Sequence, residues 1–237
     1  MFKLVSINIE WDKHLDLVLP FIKREAPDVL CIQEIFESDH AVFEKELEMK
    51  GVFAPMVRVI PTMGGPSQPT GAALFTKEQQ AETSVEYYYG SADAVADLDA
   101  KPFDEEARPL VSVRVRFGEN DYNVGTTHFT WTGNAESSDR QREDIKVLLD
   151  LVKGKDRLIL CGDFNAPRGG EIFTLLSKNF KDNIPLHYKT SIDKKFHRKG
   201  DLQLVVDGLF TTDDVRTENV RLVDGLSDHM AIVAEIE

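Results

Sequence analysis

Five apolar stretches of this chain stop on a residue that can bind a cation, move a proton or hold an anion, and a sixth is preceded by one; no other feature constrains the fold as much. Asn8 follows Leu-Val-Ser-Ile, Glu34 follows Val-Leu-Cys-Ile-Gln, and His128 follows Asn-Val-Gly-Thr-Thr. Asp163 and Asn165 follow Leu-Ile-Leu-Cys-Gly, Asp207 follows Leu-Gln-Leu-Val-Val, and Asp228-His229 precede Met-Ala-Ile-Val-Ala-Glu-Ile. Short apolar runs of this kind read as buried strands, and strand ends are where layered α/β sheets place their sites. One such residue would mean little, whereas a series on separate strands can converge on a single pocket.

The rhythm between these runs fits the same architecture. A strand near Phe2 to Ile9 leads to a helix with Leu15, Val18, Leu19 and Ile22 on one face, closed by Pro27. Val29 to Ile32 is a second strand, and Phe43 and Leu47 mark a helix ending at Gly51. Extended runs follow at Val52 to Ile60, Ala72 to Thr76, Val85 to Tyr89, Leu110 to Phe117 and Tyr122 to Phe129. Val111, Val113 and Val115 alternate with polar residues as in a half-solvated strand, and Gly118 to Asp121 forms a hairpin turn. Pro61 to Pro69 and Gly90 to Pro109 read as loops. A long helix carries Ile145, Leu148, Leu149 and Val152, then come a strand at Arg157 to Cys161 and a short helix at Glu171 to Leu176. A basic loop at Tyr188 to Gly200 precedes three strands near Leu202 to Phe210, Asn219 to Val223 and Met230 to Ile236. Strand-rich stretches flanked by helices predict an α/β layered sandwich, and one domain spanning residues 1–237 is the expectation for this length.

Composition removes several classes. Against 28 Lys and Arg stand 41 Asp and Glu, a formal charge of −13, which opposes broad contact with a nucleic-acid backbone. A local cationic rim remains compatible with that balance. No run is long enough to span a bilayer, and the first residues reach charge too soon for a signal peptide. Cys31 and Cys161 sit in apolar runs as small hydrophobes, far apart and without paired ligand spacing, so a thiolate zinc site is excluded. A reducing, cytoplasmic setting follows as the expectation.

The segments Ser6 to Trp11 (SINIEW), Ile32 to Glu34 (IQE), Gly125 to Phe129 (GTTHF), Cys161 to Pro167 (CGDFNAP), Val205 to Phe210 (VVDGLF) and Leu226 to Ala231 (LSDHMA) resemble, in order, the motifs of the endonuclease/exonuclease/phosphatase superfamily. The resemblance covers nearly the whole chain. It implies a four-layer α/β sandwich with two mixed β-sheets packed face to face and helices outside. It also implies a hydrolase of phosphoester bonds that uses Mg²⁺, with Mn²⁺ as a possible substitute.

Roles follow from the same resemblance. Glu34 is the expected main Mg²⁺ ligand, with Asp228 reaching the same ion; Glu10 occupies a position where some members carry a metal-binding Asp, an exposed loop glutamate being the other reading. A hard cation held by one or two carboxylates keeps coordination positions for water and substrate. Asp163 resembles the carboxylate that orients or deprotonates the attacking water or protonates the leaving oxygen, with Asn165 and Asn8 fixing it and a phosphate oxygen. Asp-Phe-Asn is also a turn sequence, and both readings can hold at once. His128 and His229 correspond to histidines that contact the scissile phosphate, Asp207 pairing with His229. His14, His40, His187 and His197 match no motif.

Substrate contacts are read from loops. Arg108 is either a phosphate contact or a surface arginine. Trp131 either stacks on a base or sugar or pins its loop to the core. Lys195 and Arg198 stand in the basic stretch with Lys189, Lys194, His197 and Lys199, as an electrostatic funnel or a solvated loop. The expected partner is a phosphorylated substrate: nucleic acid, nucleotide, sugar or inositol phosphate, or lipid head group. A DNA-repair endonuclease or exonuclease, or a tyrosyl-DNA phosphodiesterase, is the alternative within the class; a catalytically silent binding module is the alternative outside it. Oligomeric state is left open.

Overall fold

The strands that end on the polar residues are apolar almost without interruption, and such strands need cover on both faces. The computed structural model, which describes residues 1–77, 80–98 and 106–237, provides that cover with two six-stranded sheets packed face to face and helices outside. In chain order the elements are β1 (Phe2–Asn8), α1 (Leu15–Glu25), β2 (Val29–Phe36), α2 (Glu37–Leu47), β3 (Lys50–Val59), β4 (Gln68–Thr76) and β5 (Gln80–Tyr89). Then follow β6 (Arg108–Phe117), β7 (Asn120–His128), α3 (Asp139–Val152), β8 (Leu158–Asp163), α4 (Glu171–Asn179), β9 (Lys181–Asp182), β10 (Asp207–Thr211), β11 (Thr217–Val223) and β12 (Ala231–Ile236).

The first sheet runs β11-β12-β1-β2-β4-β3 and the second β5-β6-β7-β8-β10-β9. Each is mixed through one parallel pair, β1 with β2 and β7 with β8. Between the sheets lie Leu4, Cys31, Leu74, Val113, Val124, Ile159 and Cys161. Val18, Phe21, Ile22 and Phe43 of α1 and α2 cover the first sheet; Ile145, Leu148, Phe173 and Leu176 of α3 and α4 cover the second. This is the four-layer sandwich expected from the sequence. Among the described residues no helix is long and apolar enough to cross a membrane.

Several boundaries differ from the sequence reading. The second helix stops at Leu47, where Glu48 takes the left-handed conformation (φ 55°). Gly51 lies inside β3, where a Cβ would collide with His40 and Phe75, so this glycine serves helix-on-strand packing rather than capping. The hairpin turn is tighter than four residues: Phe117 pairs with Asn120 across Gly118-Glu119. Val115 is buried between exposed Arg114 and Arg116, but Ser112 is buried too, so β6 is half-solvated only toward its end. Leu202 to Val206 is not strand. Leu204, Val205 and Val206 each accept a backbone bond from a different segment, at Ser191, Arg168 and Phe164. Residues 99–105 of the loop at Gly90 to Pro109 lie outside the described residues.

Gly162 precedes Asp163 with φ 140°, and a Cβ there would overlap the carbonyl oxygen of Thr127 on β7. Gly162→Ala is expected to cost about 3 kcal/mol or more, seen as a loss of roughly 6–12 °C in Tm by circular dichroism. An unchanged Tm would show that the two strands can separate there at no cost.

Candidate active site

Glu34 reaches the site through a break in strand pairing. Along β2, Gln33 pairs with Ala72 of β4 and Ile35 with Gly71, leaving Glu34 as an extra residue at φ 61°. Such bulges re-aim a side chain out of the ladder. The carboxyl opens onto a cavity of about 500 Å³. Asn8, at the end of β1, donates from one amide nitrogen to Glu34 Oε1 at 3.1 Å and Asp163 Oδ2 at 3.2 Å, joining the two sheets. Deeper in the core, Gln33 Nε2 donates to Thr126 Oγ1 on the opposite sheet at 2.9 Å.

The second sheet delivers three residues side by side, since His128 pairs in register with Asp163 and Asp163 with Asp207. His128 Nε2 lies 3.4 Å from Asp163 Oδ2 and 3.8 Å from Glu34 Oε1. His229 Nε2 lies 3.6 Å from Asp163 Oδ2, while its Nδ1 lies 2.9 Å from Asp207 Oδ2. The second Asp163 oxygen accepts the Asn165 amide at 2.8 Å. Asn165 itself is left-handed (φ 49°) and donates from Nδ2 to the Phe129 carbonyl at 2.9 Å. Asp163 is thus both turn former and hub of the cluster.

Asp228 and His229 are held by the segment from Ser191 to Asp193. The amide of Met230 donates to the Ser191 carbonyl at 2.7 Å and that of Asp193 to the Asp228 carbonyl at 2.8 Å. Ser191 Oγ accepts from the amides of Val206 and Asp207. Both residues flanking the imidazole of His229 are therefore fixed through backbone bonds.

The electrostatics follow from burial and pairing. Burial pushes the Glu34 carboxyl up to about 7, with the charge of Asp228 adding to it and His128 and Asn8 opposing it. Burial acts the same way on Asp163, but His229, His128 and the Asn165 amide outweigh it and hold this carboxyl well below the usual range. Burial would depress both imidazoles; the carboxylates of Asp207 and Asp163 for His229, and of Asp163 and Glu34 for His128, instead raise them. Burial keeps Asp207 above its ordinary value despite His229.

The donor chemistry fits a hard divalent ion at Glu34 and Asp228, two carboxylates close enough that the charge of Asp228 raises the Glu34 carboxyl. Asp163, Asp207 and His229 also bring ligand atoms within 4.8 Å of one another. Those atoms already satisfy each other, and an imidazole suits a softer metal than magnesium. Glu10 borders the cavity but is bonded to Lys13 and, at 3.1 Å, to His14 Nε2.

The loop residues are placed less as the sequence suggested. Arg108 is not at the surface: it is 1% exposed, pairs with Glu106 Oε2 at 2.9 Å and donates to the His128 carbonyl at 3.3 Å, at the cavity edge. Trp131, half-buried, and Arg198, exposed, line the cavity. Lys195 is not in its wall; the ammonium sits 4.6 Å over the Phe196 ring. Two histidines that match no motif do lie here. His14 contacts Glu10 and packs 4.6 Å from Phe196, and His197 lines the cavity within electrostatic reach of Asp228 and His229. The only sequence signals were the four-residue spacing from Glu10 and membership of the basic loop. His40 stacks on Phe75, and His187 lies tilted against Tyr188. Both cysteines are free and buried in the inter-sheet core.

Residues 5–229 match the model of the Endonuclease/Exonuclease/phosphatase family, and the chain belongs to that family, whose members are hydrolases acting on phosphoesters. Nocturnin of Drosophila melanogaster is 27% identical over 169 residues, which cover 67% of this chain. The chain spans 24% of that relative's length. Among solved structures, a family protein from Leptotrichia buccalis superposes with a TM-score of 0.74 at 18% identity, each chain fully covered. The mannosyl-6-phosphatase of Bacteroides thetaiotaomicron does so at 0.71 and 13% identity, again over both whole chains. At these identities the structural likeness is one of fold.

Proposed function

We infer that this chain is a divalent-metal-dependent phosphoester hydrolase that directs water in line at phosphorus. The observation that carries this reading is the linked cluster in which Asn8, His128 and His229 all approach one oxygen of Asp163 while Glu34 stands beside it at a cavity wall. Glu34 and Asp228 would hold magnesium, or manganese in its place; once bound, the ion supplies Lewis-acid neutralisation of charge on the phosphoryl and leaving oxygens.

This chain's own residues do the rest. Ionised Asp163 accepts the hydrogen bond of the attacking water and takes its proton as the new P–O bond forms and the P–O bond to the leaving oxygen breaks, that oxygen ending with the proton the water gave up. The imidazoles lie 3.4 and 3.6 Å from Asp163, longer than good N–H···O bonds, so each Nε2 proton is available to a nonbridging phosphate oxygen. Asp207 fixes the His229 tautomer from the other side, and Asn8 keeps two carboxylates from drifting apart. Charge developing over the phosphoryl oxygens is met by donors already in place.

Purified protein should hydrolyse bis(p-nitrophenyl) phosphate with added Mg²⁺ or Mn²⁺, and excess chelator should abolish turnover reversibly. A silent binding module would show no turnover with either metal, and that result would end the hydrolase reading.

A further inference from the structure

Four cationic side chains of Lys or Arg border the cavity: Lys13, Arg108, Arg198 and Lys199. Two are neutralised in place, Lys13 by Glu10 and Arg108 by Glu106. Lys199 donates from Nζ to the Gly133 carbonyl at 3.2 Å, which fixes its position and leaves its charge uncancelled. Among the described residues neither Arg198 nor Lys199 has a carboxylate partner, although acids outnumber bases in the chain by 41 to 28. In so acidic a molecule, two cations at a cavity with no carboxylate bonded to either are a local exception.

The segment that carries them is held firmly. Asp193 accepts the amides of Lys195 at 2.8 Å and Gly225 at 2.5 Å through its carboxylate, and that of His197 at 2.9 Å through its carbonyl. Phe196 packs on His14, and the isolated bridge from Ile192 to His229 ties the segment to the candidate active site. The backbone that carries both charges is therefore positioned beforehand, and its share of the ordering cost of binding an anion is reduced. The catalytic end of the cavity already has groups for one phosphate, so the second positive locus calls for a second anion.

Resting on the hydrolase reading above, we propose that Arg198 and Lys199 form a second anion subsite and that the substrate is a small molecule bearing a phosphate besides the one cleaved. About 500 Å³ is a small-molecule volume. The formal charge of −13 disfavours a long polyanionic strand. Lys189 and Lys194, in the same basic stretch, are exposed and outside the cavity wall.

The test compares ligand-induced Tm shifts, converted to affinities, for thymidine 5′-phosphate against thymidine 3′,5′-bisphosphate and for fructose 6-phosphate against fructose 1,6-bisphosphate. At least one bisphosphate should bind roughly tenfold tighter than its monophosphate, as charge-assisted contacts provide. R198E/K199E should erase that preference, and K189E/K194E, with the same change in net charge, should keep it. Equal affinities within both pairs, no binding by any of the four, or equal losses in the two variants would each overturn the subsite. Tighter binding of a ten-residue oligothymidylate than of the thymidine bisphosphate would overturn the small-molecule assignment. Binding is read without turnover: absent hydrolysis defeats the reaction alone, and absent preference defeats the subsite alone.

Discussion

Asp163→Asn should lower kcat for bis(p-nitrophenyl) phosphate by roughly 10²–10⁴-fold, with KM changed far less. Asp163 Oδ2 is approached by Asn8 at 3.2 Å, His128 at 3.4 Å and His229 at 3.6 Å, so a single acceptor organises three donors. An asparagine presents its own N–H₂ group to at least one of them and removes a charge that favours the protonated form of both imidazoles. The backbone turn should survive, because the Asn165 amide can still bond to a side-chain oxygen at that position. Steady-state kinetics with matched circular dichroism checks this; a folded variant with wild-type kcat would remove Asp163 from the chemistry.

Glu34→Gln should have opposite effects on activity and on the stability of metal-free protein. A carboxyl whose folded pKa exceeds its unfolded value costs stability once the pH rises past the unfolded value. For Glu34 that window runs from 4.5 to about 7, so the whole cost is present at pH 8 and absent below 4.5. The difference corresponds to about 3 kcal/mol at most. In chelator at pH 8 the variant should therefore melt several degrees above the unaltered protein, with the gain vanishing near pH 4. Magnesium should raise the Tm of the unaltered protein and leave the variant where it was, since a ligand that binds only the folded state stabilises it. If the two proteins melt together in chelator at pH 8, Glu34 does not carry the buried charge described here.

Much of this molecule was readable before folding, and the limits are physical. Asn8, His128 and Asp163 stand at the last positions of β1, β7 and β8 because an apolar run must stop where its cover stops, and hydrophobic patterning records that point; Asp207 instead opens β10, after an apolar run that is not strand. Patterning does not record backbone sign. Nothing in Ile-Gln-Glu-Ile announces that Glu34 adopts φ 61° and leaves the β4 ladder, because a bulge belongs to the pairing of two strands and not to the residues of one. Glu48 ends α2 in a conformation usually given to glycine, so Gly51 misleads. The loops fail for another reason. Lys195 and Lys199 are alike as residues in one polar stretch, yet one ammonium rests on Phe196 and the other on Gly133; the route of the chain decided between them. Arg108 lies in the structure's interior because Glu106, two residues away, folds in with it, a pairing that no periodicity encodes.

Asn8 and Glu34 hang from one sheet, His128 and Asp163 from the other, and among the described residues no disulfide spans the gap across which they meet. That gap is gauged by side chains of the shared core, Leu74 and Cys31 from the first sheet and Val113 and Cys161 from the second. Interiors of this density pass displacement on rather than absorb it. Reactivity in such a fold can therefore be retuned from its centre, by trading one aliphatic side chain for another, without touching any group that meets the substrate.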